Sequence, residues 1–344
     1  MSLKDVCLVG GNGNLGTVLL DGLVDSQSFS VSVAKRASST SSLAHVSQIK
    51  LLTFPDDMSV EGLVPILQGQ DIVISSFPLK DVSQHIRLAE ASEKARVKRF
   101  IHAGFGSCDA QSDEAKRLLK LYRDKDLVRE KCVELTAKTP DFSWTSLVCG
   151  HFFDFGMRVG LLHFDIDTST AVILDKGDVP ASAATLRQVA EALVAVLRRP
   201  DTTKNRLLYV HSFCKTQLEV LASLEKATGK TWKKEFVDSQ EFLKKETDKL
   251  AVEFTKEAME EVVFVLGTLD ADWRTRGEAF AMGELRFEEE DLDEVMLLEH
   301  LSSIKPLNAI PLNLPPFALH HIHNIIPQFL YIPVPILPVP QQSL

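Results

Sequence analysis

Three glycines within the first twenty residues have the type and spacing of a phosphate-binding loop. They are Gly10, Gly13 and Gly16 in the stretch VCLVGGNGNLGTVLL, which passes from an apolar run into a helical pattern. In such a loop the first glycine makes a tight turn, the second lets the backbone approach a pyrophosphate, and the third lets the helix close on the sheet. The pyrophosphate then lies at the positive end of the helix. The predicted dinucleotide-binding loop comprises Gly10, Gly13, Asn14, Leu15 and Gly16.

A basic pair follows the second apolar run, in VSVAKRASSTSS. Lys35 and Arg36 stand where an acidic residue would bind the ribose diol of NAD, and basic residues there suit a 2'-phosphate. We therefore expect NADP(H) as the cofactor; the alternative is a solvated basic pair on a surface turn. Ser75, Ser76 and Phe77, in SSFP after the fourth run, are expected to line the path of the cofactor backbone.

The elements that must position these residues alternate short apolar runs with helical patterns, as repeated βα units do. The apolar runs span residues 6–9, 31–34, 49–54, 72–75, 99–102 and 143–149. This order predicts an α/β fold, a doubly wound parallel sheet (Rossmann), over residues 1–150. Residues 151–301 are expected to form a smaller α/β substrate-binding part packed on the sheet as a lid. Residues 302–344 form an apolar tail rich in proline, and the sequence leaves open whether it docks on the body.

Composition excludes several classes of function. The 344 residues carry a net charge of −9 without a basic cluster, so no nucleic-acid partner is expected. The five cysteines are scattered without metal-like spacing, no secretory signal is visible, and the prolines of the tail forbid a transmembrane helix. We expect a cytoplasmic protein with reduced thiols. The tail histidines 320, 321 and 323 have no acidic or cysteine neighbours, so no metal site is predicted.

Six segments, taken in order, resemble the NmrA-like and isoflavone-reductase-like branch of the atypical short-chain dehydrogenases. They are GGNGNLG, VAKR, GQDIVISS, VKRFIHAGFGS, VREKCVE and SWTSLVCGHFF, within residues 4–240. The resemblance implies a dinucleotide-binding fold and an NADPH-dependent reductase. Where the family usually has RFIPSEFG, this chain has RFIHAGFG, so the local geometry of the active site is expected to differ.

The family's reductases carry a lysine on the helix after this segment, close to the nicotinamide. By position and flanking pattern the resemblance assigns that role to Lys131, whose ammonium would stabilise negative charge on a substrate oxygen. The alternative is a surface lysine on the charged helix KRLLKLYRDKDLVREK. Tyr122 is followed four residues later by Asp126, so the Tyr/Lys pair of ordinary short-chain dehydrogenases is absent.

An aromatic cluster after the sixth run is the candidate substrate pocket. His151, Phe152 and Phe153 would lie at the carboxyl edge of the sheet, where ligands of doubly wound folds bind, and Phe105 is expected to join them. The alternative is that these side chains belong to the core and that His151 is a satisfied buried histidine.

Two functions follow from these observations. The first is an NADPH-dependent reductase of a small, aromatic or conjugated substrate, in which the cofactor performs the hydride transfer. The second is a non-catalytic sensor that binds NAD(P) and acts on a protein partner, as NmrA-like proteins are held to do. Lys131 and the aromatic cluster favour the enzyme, whereas the altered HAGFG segment and the unusual tail favour the sensor.

Overall fold

The computed structural model describes residues 3–303, the last four by their backbone alone. Nearly all of the predicted tail, with its three histidines, lies outside the described residues. Thirteen strands occur in the described part of the chain: β1 Asp5–Val9, β2 Ser30–Arg36, β3 Lys50–Phe54, β4 Ile72–Ser75, β5 Arg99–Ile101, β6 Ser143–Val148, β7 His151–Phe152, β8 Phe164–Asp165, β9 Thr170–Leu174, β10 Ala181–Ala184, β11 Arg206–Tyr209, β12 Phe213–Lys215 and β13 Lys233–Val237.

The helices alternate with these strands through the first half of the chain. They are α1 Asn14–Asp25, α2 Val60–Leu67, α3 Val82–Lys94, α4 Asp113–Leu118, α5 Lys120–Lys138, α6 Phe153–Arg158, α7 Leu186–Leu197, α8 Pro200–Thr203, α9 Gln217–Thr228, α10 Ser239–Val252, α11 Lys256–Leu269, α12 Met282–Leu285 and α13 Leu292–Ser303. None of the helices between residues 3 and 303 has the length and apolarity needed to cross a lipid bilayer.

The main sheet has seven parallel strands in the order β11-β6-β5-β4-β1-β2-β3. Its inner strands β1, β4, β5 and β6 are buried almost throughout because both of their faces are covered. Val6 and Leu8 of β1 pack in a core with α1 and α7, whereas Cys7 and Val9 pack in a second core with α2, α3 and α5. The predicted doubly wound parallel sheet is confirmed. The order in which the strands are added to the sheet reverses between β1 and β4, the point at which such folds bind nucleotides.

The boundary expected at residue 150 does not separate the sheet from the lid. β11 pairs with β6 as the seventh strand, and α7 packs on α1, so segments beyond residue 150 complete the dinucleotide-binding layer. The sequence pattern could not show this, because β11 reads like any other short apolar run. The second half also contains two small sheets, β12-β10-β7 and β13-β9-β8, and helices that include α9, α10 and α11.

Capping residues mark both ends of α9 in the second half. The Thr216 hydroxyl accepts a hydrogen bond from the amide of Glu219, and the Glu219 carboxylate accepts one from the Thr216 amide, which forms a capping box at the start of α9. Gly229 ends the helix in the left-handed conformation.

Gly150 fixes the junction between β6 and the residues that follow it. It has a φ of +75°, and a Cβ there would lie 2.0 Å from the carbonyl oxygen of Ser182. Gly229 is the matched control, because its φ of +66° is similar but a Cβ would meet nothing within 4 Å.

We expect Gly229→Ala to cost about 1 kcal/mol of unfolding free energy, the strain of a left-handed alanine. Gly150→Ala should cost several times as much, because the chain must also move away from Ser182. Urea denaturation measures both. Equal losses in the two variants would contradict the packing described for this junction.

Candidate cofactor and active site

The glycine loop connects β1 to α1 in the predicted geometry. Gly13 is the N-cap of α1 and supplies no side-chain cap, so the first amides of the helix point outward without a side-chain partner. At Gly16 a Cβ would lie 1.9 Å from the carbonyl oxygen of Gly10, so only glycine allows the helix to approach the turn this closely. Asn14 is exposed, and Leu15 is partly buried against the main core. Free amides at a helix N-terminus beside the switch point fit a pyrophosphate.

The basic pair at the end of β2 has only neutral partners. The Lys35 ammonium donates to the carbonyl oxygen of Ser41 at 3.3 Å, and the Arg36 guanidinium donates to the Gln84 amide oxygen at 2.8 Å. Within residues 3–303 neither cation forms an ion pair, so both charges remain available for an anion. The neighbouring Ser38 hydroxyl is used differently, since it donates to Asp56.

The serines at the end of β4 and directly after it use their hydroxyls to hold the turn. The Ser75 hydroxyl lies 3.0 Å from Nδ1 of His85, and the Ser76 hydroxyl donates to the carbonyl oxygen of Val9 at 3.0 Å. Both side chains therefore have protein partners. Phe77 is partly buried and stacks on the His85 ring.

Lys131 lies on α5, and its contacts are to carboxylates of the helix layer. Its ammonium is 2.8 Å from Glu134 and 3.5 Å from Glu90 of α3. The hydrogen bond with Glu134 is the main cause of a raised pKa for Lys131, which therefore stays a paired cation. The structure does not bring Lys131 together with the glycine loop, and these contacts match the surface-lysine alternative.

The same helix buries a different lysine at the carboxyl edge of the sheet. The Lys125 ammonium donates to the carbonyl oxygens of Phe105 at 2.6 Å and Gly104 at 3.3 Å, in the loop that follows β5. The side chain is buried, and this burial lowers the pKa of Lys125 to about 8. A buried lysine with a shifted pKa at the ligand-binding edge of such a sheet is a candidate functional residue.

The helical spacing of apolar residues in α5 indicates that Lys125 is buried. The buried face of α5 includes Tyr122, Val128, Cys132 and Leu135, and Lys125 lies on that face between the first two. A lysine in an apolar stripe must either reach the helix end or have internal partners. Lys131, to which the resemblance assigns the role, is not among the buried residues of this helix.

The groups around Lys125 are neutral. Burial lowers the pKa of His102 to about 3, and its Nε2 has no hydrogen-bond partner within residues 3–303. Burial also raises the pKa of Cys108 to about 12 and raises that of Cys149, so both remain thiols at neutral pH. The ammonium of Lys125 is therefore held by the carbonyl dipoles of Gly104 and Phe105, and these three side chains offer it no counter-charge.

Of the residues predicted to form an aromatic pocket, Phe105 contacts Lys125 through its backbone, and the phenylalanine rings pack in the hydrophobic cores. Phe105 supplies the carbonyl that holds Lys125, while its ring is buried in the main core, against which Phe152 also packs. Phe153 packs edge-to-face on Phe213 with ring centroids 4.8 Å apart, in the core of the second half. His151 abuts Gly267 of α11, and burial lowers its pKa to about 4.

The side chains of His151 and Phe153 also line a cavity of about 50 Å³. Ligand pockets for drug-sized molecules usually measure about 300–1,000 Å³. The cavity is therefore too small, as it stands, for a complete aromatic substrate, and Phe153 has the core environment that the alternative interpretation described.

Comparison with known proteins agrees with this architecture. The NmrA-like family model matches residues 2–294. The chain belongs to the NmrA-like family. Among its relatives, the oxidoreductase aprR of Aspergillus flavus is 33% identical over 243 residues, which cover 70% of this chain and 79% of that protein. The isoflavone reductase homolog IRL of Zea mays is 29% identical over 53% of this chain and 59% of its own length.

Solved structures show the same fold as this NmrA-like chain. The leucoanthocyanidin reductase of Vitis vinifera, in a binary complex with NADPH, superposes with a TM-score of 0.69 at 15% identity, over 87% of this chain and 100% of its own. The pinoresinol-lariciresinol and phenylcoumaran benzylic ether reductases superpose with a TM-score of 0.69 at 18% identity, over 86% and 99%. The predicted family is confirmed, and the named relatives are an oxidoreductase and an isoflavone reductase homolog.

The uncompensated basic pair yields a prediction about cofactor choice. Replacing both Lys35 and Arg36 with alanine should weaken NADPH binding about 10²- to 10⁴-fold, because each charge-assisted hydrogen bond contributes about 1.5–3 kcal/mol and two are lost. NADH binding should change little, since NADH has no 2'-phosphate. Calorimetric titration with the two cofactors measures the effect.

The matched control is Lys233→Ala with Lys234→Ala, which removes the same charge from the exposed strand β13. An unchanged ratio of the two dissociation constants in the Lys35/Arg36 variant would refute the assignment.

Proposed function

We propose that this NmrA-like protein is an NADPH-dependent reductase of a small aromatic or conjugated substrate, and that Lys125, not Lys131, assists at the substrate oxygen. The observation that carries the proposal is the buried Lys125 ammonium on the carbonyl oxygens of Gly104 and Phe105. These carbonyl groups lie in the loop after β5, on the side of the switch point away from the basic pair of β2. The five free, buried thiols suit the reducing cytoplasm, which we propose as its compartment.

The residues of the chain divide the work of binding. Lys35 and Arg36 would hold the 2'-phosphate, and the amides at the start of α1 would hold the pyrophosphate. When bound, the nicotinamide supplies the hydride. With the adenosine side at β2 and the pyrophosphate at β1, the other half of a dinucleotide would extend over β4 and β5, toward Lys125.

Lys125 would donate the hydrogen bond to the substrate oxygen. Two of its three N–H donors are used by carbonyl oxygens, which leaves one for a ligand. A hydrogen bond from an ammonium in a water-poor site stabilises the negative charge that develops on a carbonyl or ether oxygen as hydride arrives. A pKa of about 8 keeps Lys125 protonated at neutral pH and still lets it give up its proton. His102 and His151 are neutral at that pH and cannot replace it as acids.

Methionine substitutions at the two lysines separate the candidates. We expect Lys125→Met to lower kcat about 10²- to 10⁴-fold, the usual contribution of a positioned proton donor. NADPH binding should persist, because the cofactor contacts lie elsewhere. Lys131→Met, on the same helix, is the matched control and should keep kcat within about twofold. Oxidation of NADPH in a screen of quinones, enones and phenolic ethers provides the assay.

Loss of turnover in Lys131→Met with normal turnover in Lys125→Met would contradict the assignment. A wild-type protein that binds NADPH tightly and reduces no compound of these classes would contradict the reductase and favour the redox sensor with a protein partner.

The lowered pKa of Lys125 also predicts a pH dependence. Burial favours the neutral amine, so the ammonium persists below about pH 8 and is lost above it. Because the ammonium is the active form, kcat/KM should fall about tenfold per pH unit above pH 8. The nearby thiols of Cys108 and Cys149 stay protonated across this range and do not counter the effect. Steady-state kinetics from pH 6 to 10 tests this, and a flat profile would contradict it.

A further inference from the structure

A buried histidine on α3 faces the end of β4 and has no part in the function proposed above. His85 is fully buried, and its ring stacks on Phe77 with centroids 3.9 Å apart and planes 23° apart. Both ring nitrogens have partners, because Nδ1 is 3.0 Å from the Ser75 hydroxyl and Nε2 is 3.4 Å from the carbonyl oxygen of Pro78. The partners all lie in the segment that leaves β4.

These contacts determine the state of the imidazole. A carbonyl oxygen can only accept, so Nε2 carries the hydrogen and Nδ1 accepts from Ser75. Burial lowers the pKa of His85 to about 4, so the ring is neutral at physiological pH. A ring held at both nitrogens has a fixed plane, and the stacked ring of Phe77 takes its orientation from it.

Phe77 lies against the glycine loop. A Cβ at Gly10 would lie 2.8 Å from the amide nitrogen of Phe77, and the preceding Ser76 binds the carbonyl oxygen of Val9 through both its amide and its hydroxyl. Phe77 thus follows β4 at the switch point between β4 and β1. A dinucleotide whose adenosine lies over β2 passes this point on its nicotinamide side.

We infer that His85 is a positioning residue: through its stack on Phe77 it fixes the wall along which the nicotinamide half of the cofactor leaves the glycine loop. The inference rests on the proposed function for the identity of the cofactor. It assigns to His85 no contact with the cofactor or the reacting atoms. The adenosine half, at Lys35 and Arg36, should not depend on His85.

Two ligands distinguish positioning from general stability. NADPH contains both halves of the cofactor, whereas adenosine 2',5'-bisphosphate contains only the adenosine half. We expect His85→Ala to weaken NADPH binding about tenfold, through loss of the oriented ring, and to leave the binding of adenosine 2',5'-bisphosphate within about twofold. His85→Phe keeps a ring for the stack and should restore most of the affinity for NADPH.

Ser92→Ala is the matched control. Ser92 is also buried on α3, where its hydroxyl donates to the Leu88 carbonyl oxygen at 2.7 Å, and it has no contact with Phe77. The control should change neither affinity, even if it lowers the thermal midpoint. Titrations of the four proteins with both ligands, monitored by calorimetry, complete the experiment.

Equal weakening of both ligands in His85→Ala, or no weakening of either, would overturn the role of His85 while leaving that of Lys125 untouched. Failure of the wild-type protein to bind NADPH would overturn the proposed function and this inference together. If His85→Ala does not fold, the folded variant His85→Phe decides. An equal loss of affinity for NADPH and for the bisphosphate refutes the inference. Near-normal binding of both ligands supports it.

Discussion

The arrangement of this site depends on keeping one ammonium charged inside the protein. Moving an ammonium out of water is costly unless dipoles replace its hydration. For Lys125 the dipoles are the carbonyl groups of Gly104 and Phe105, so the loop after β5 must present them in one conformation. Ser107 in that loop lies 3.2 Å from the hydroxyl of Tyr122, one turn before Lys125 on α5.

A second bond ties the same loop to the edge of the sheet. The hydroxyl of Tyr209, at the end of β11, donates to Asp109 at 2.7 Å. The loop is therefore held by α5 on one side and by β11 on the other. Strand β11, from beyond residue 150, therefore helps to hold a loop of the site that the first six strands position. Tyr122, whose hydroxyl is buried, supports the same loop and has no role in the proposed reaction.

The glycine loop, the fold class and the caps of α9 could be predicted from the sequence because each depends on local residue types. The basic pair of β2 was also readable, since its position follows from the strand. Lys125 and His85 were missed for one physical reason: each acts through burial, which depends on how a helix packs on the sheet. The apolar stripe of α5 indicated the buried lysine, whereas matching of flanking letters pointed to Lys131, six residues later.

The measurement that decides between these lysines is a crystal structure of the chain with NADP⁺ and a bound phenol or enone. The account predicts the nicotinamide ring over β4 and β5, with the ligand oxygen about 3 Å from the Lys125 ammonium, and Lys131 still paired with Glu134 and Glu90. A nicotinamide turned away from this edge, or a ligand oxygen bound by another group with Lys125 sealed behind Phe105, would contradict it.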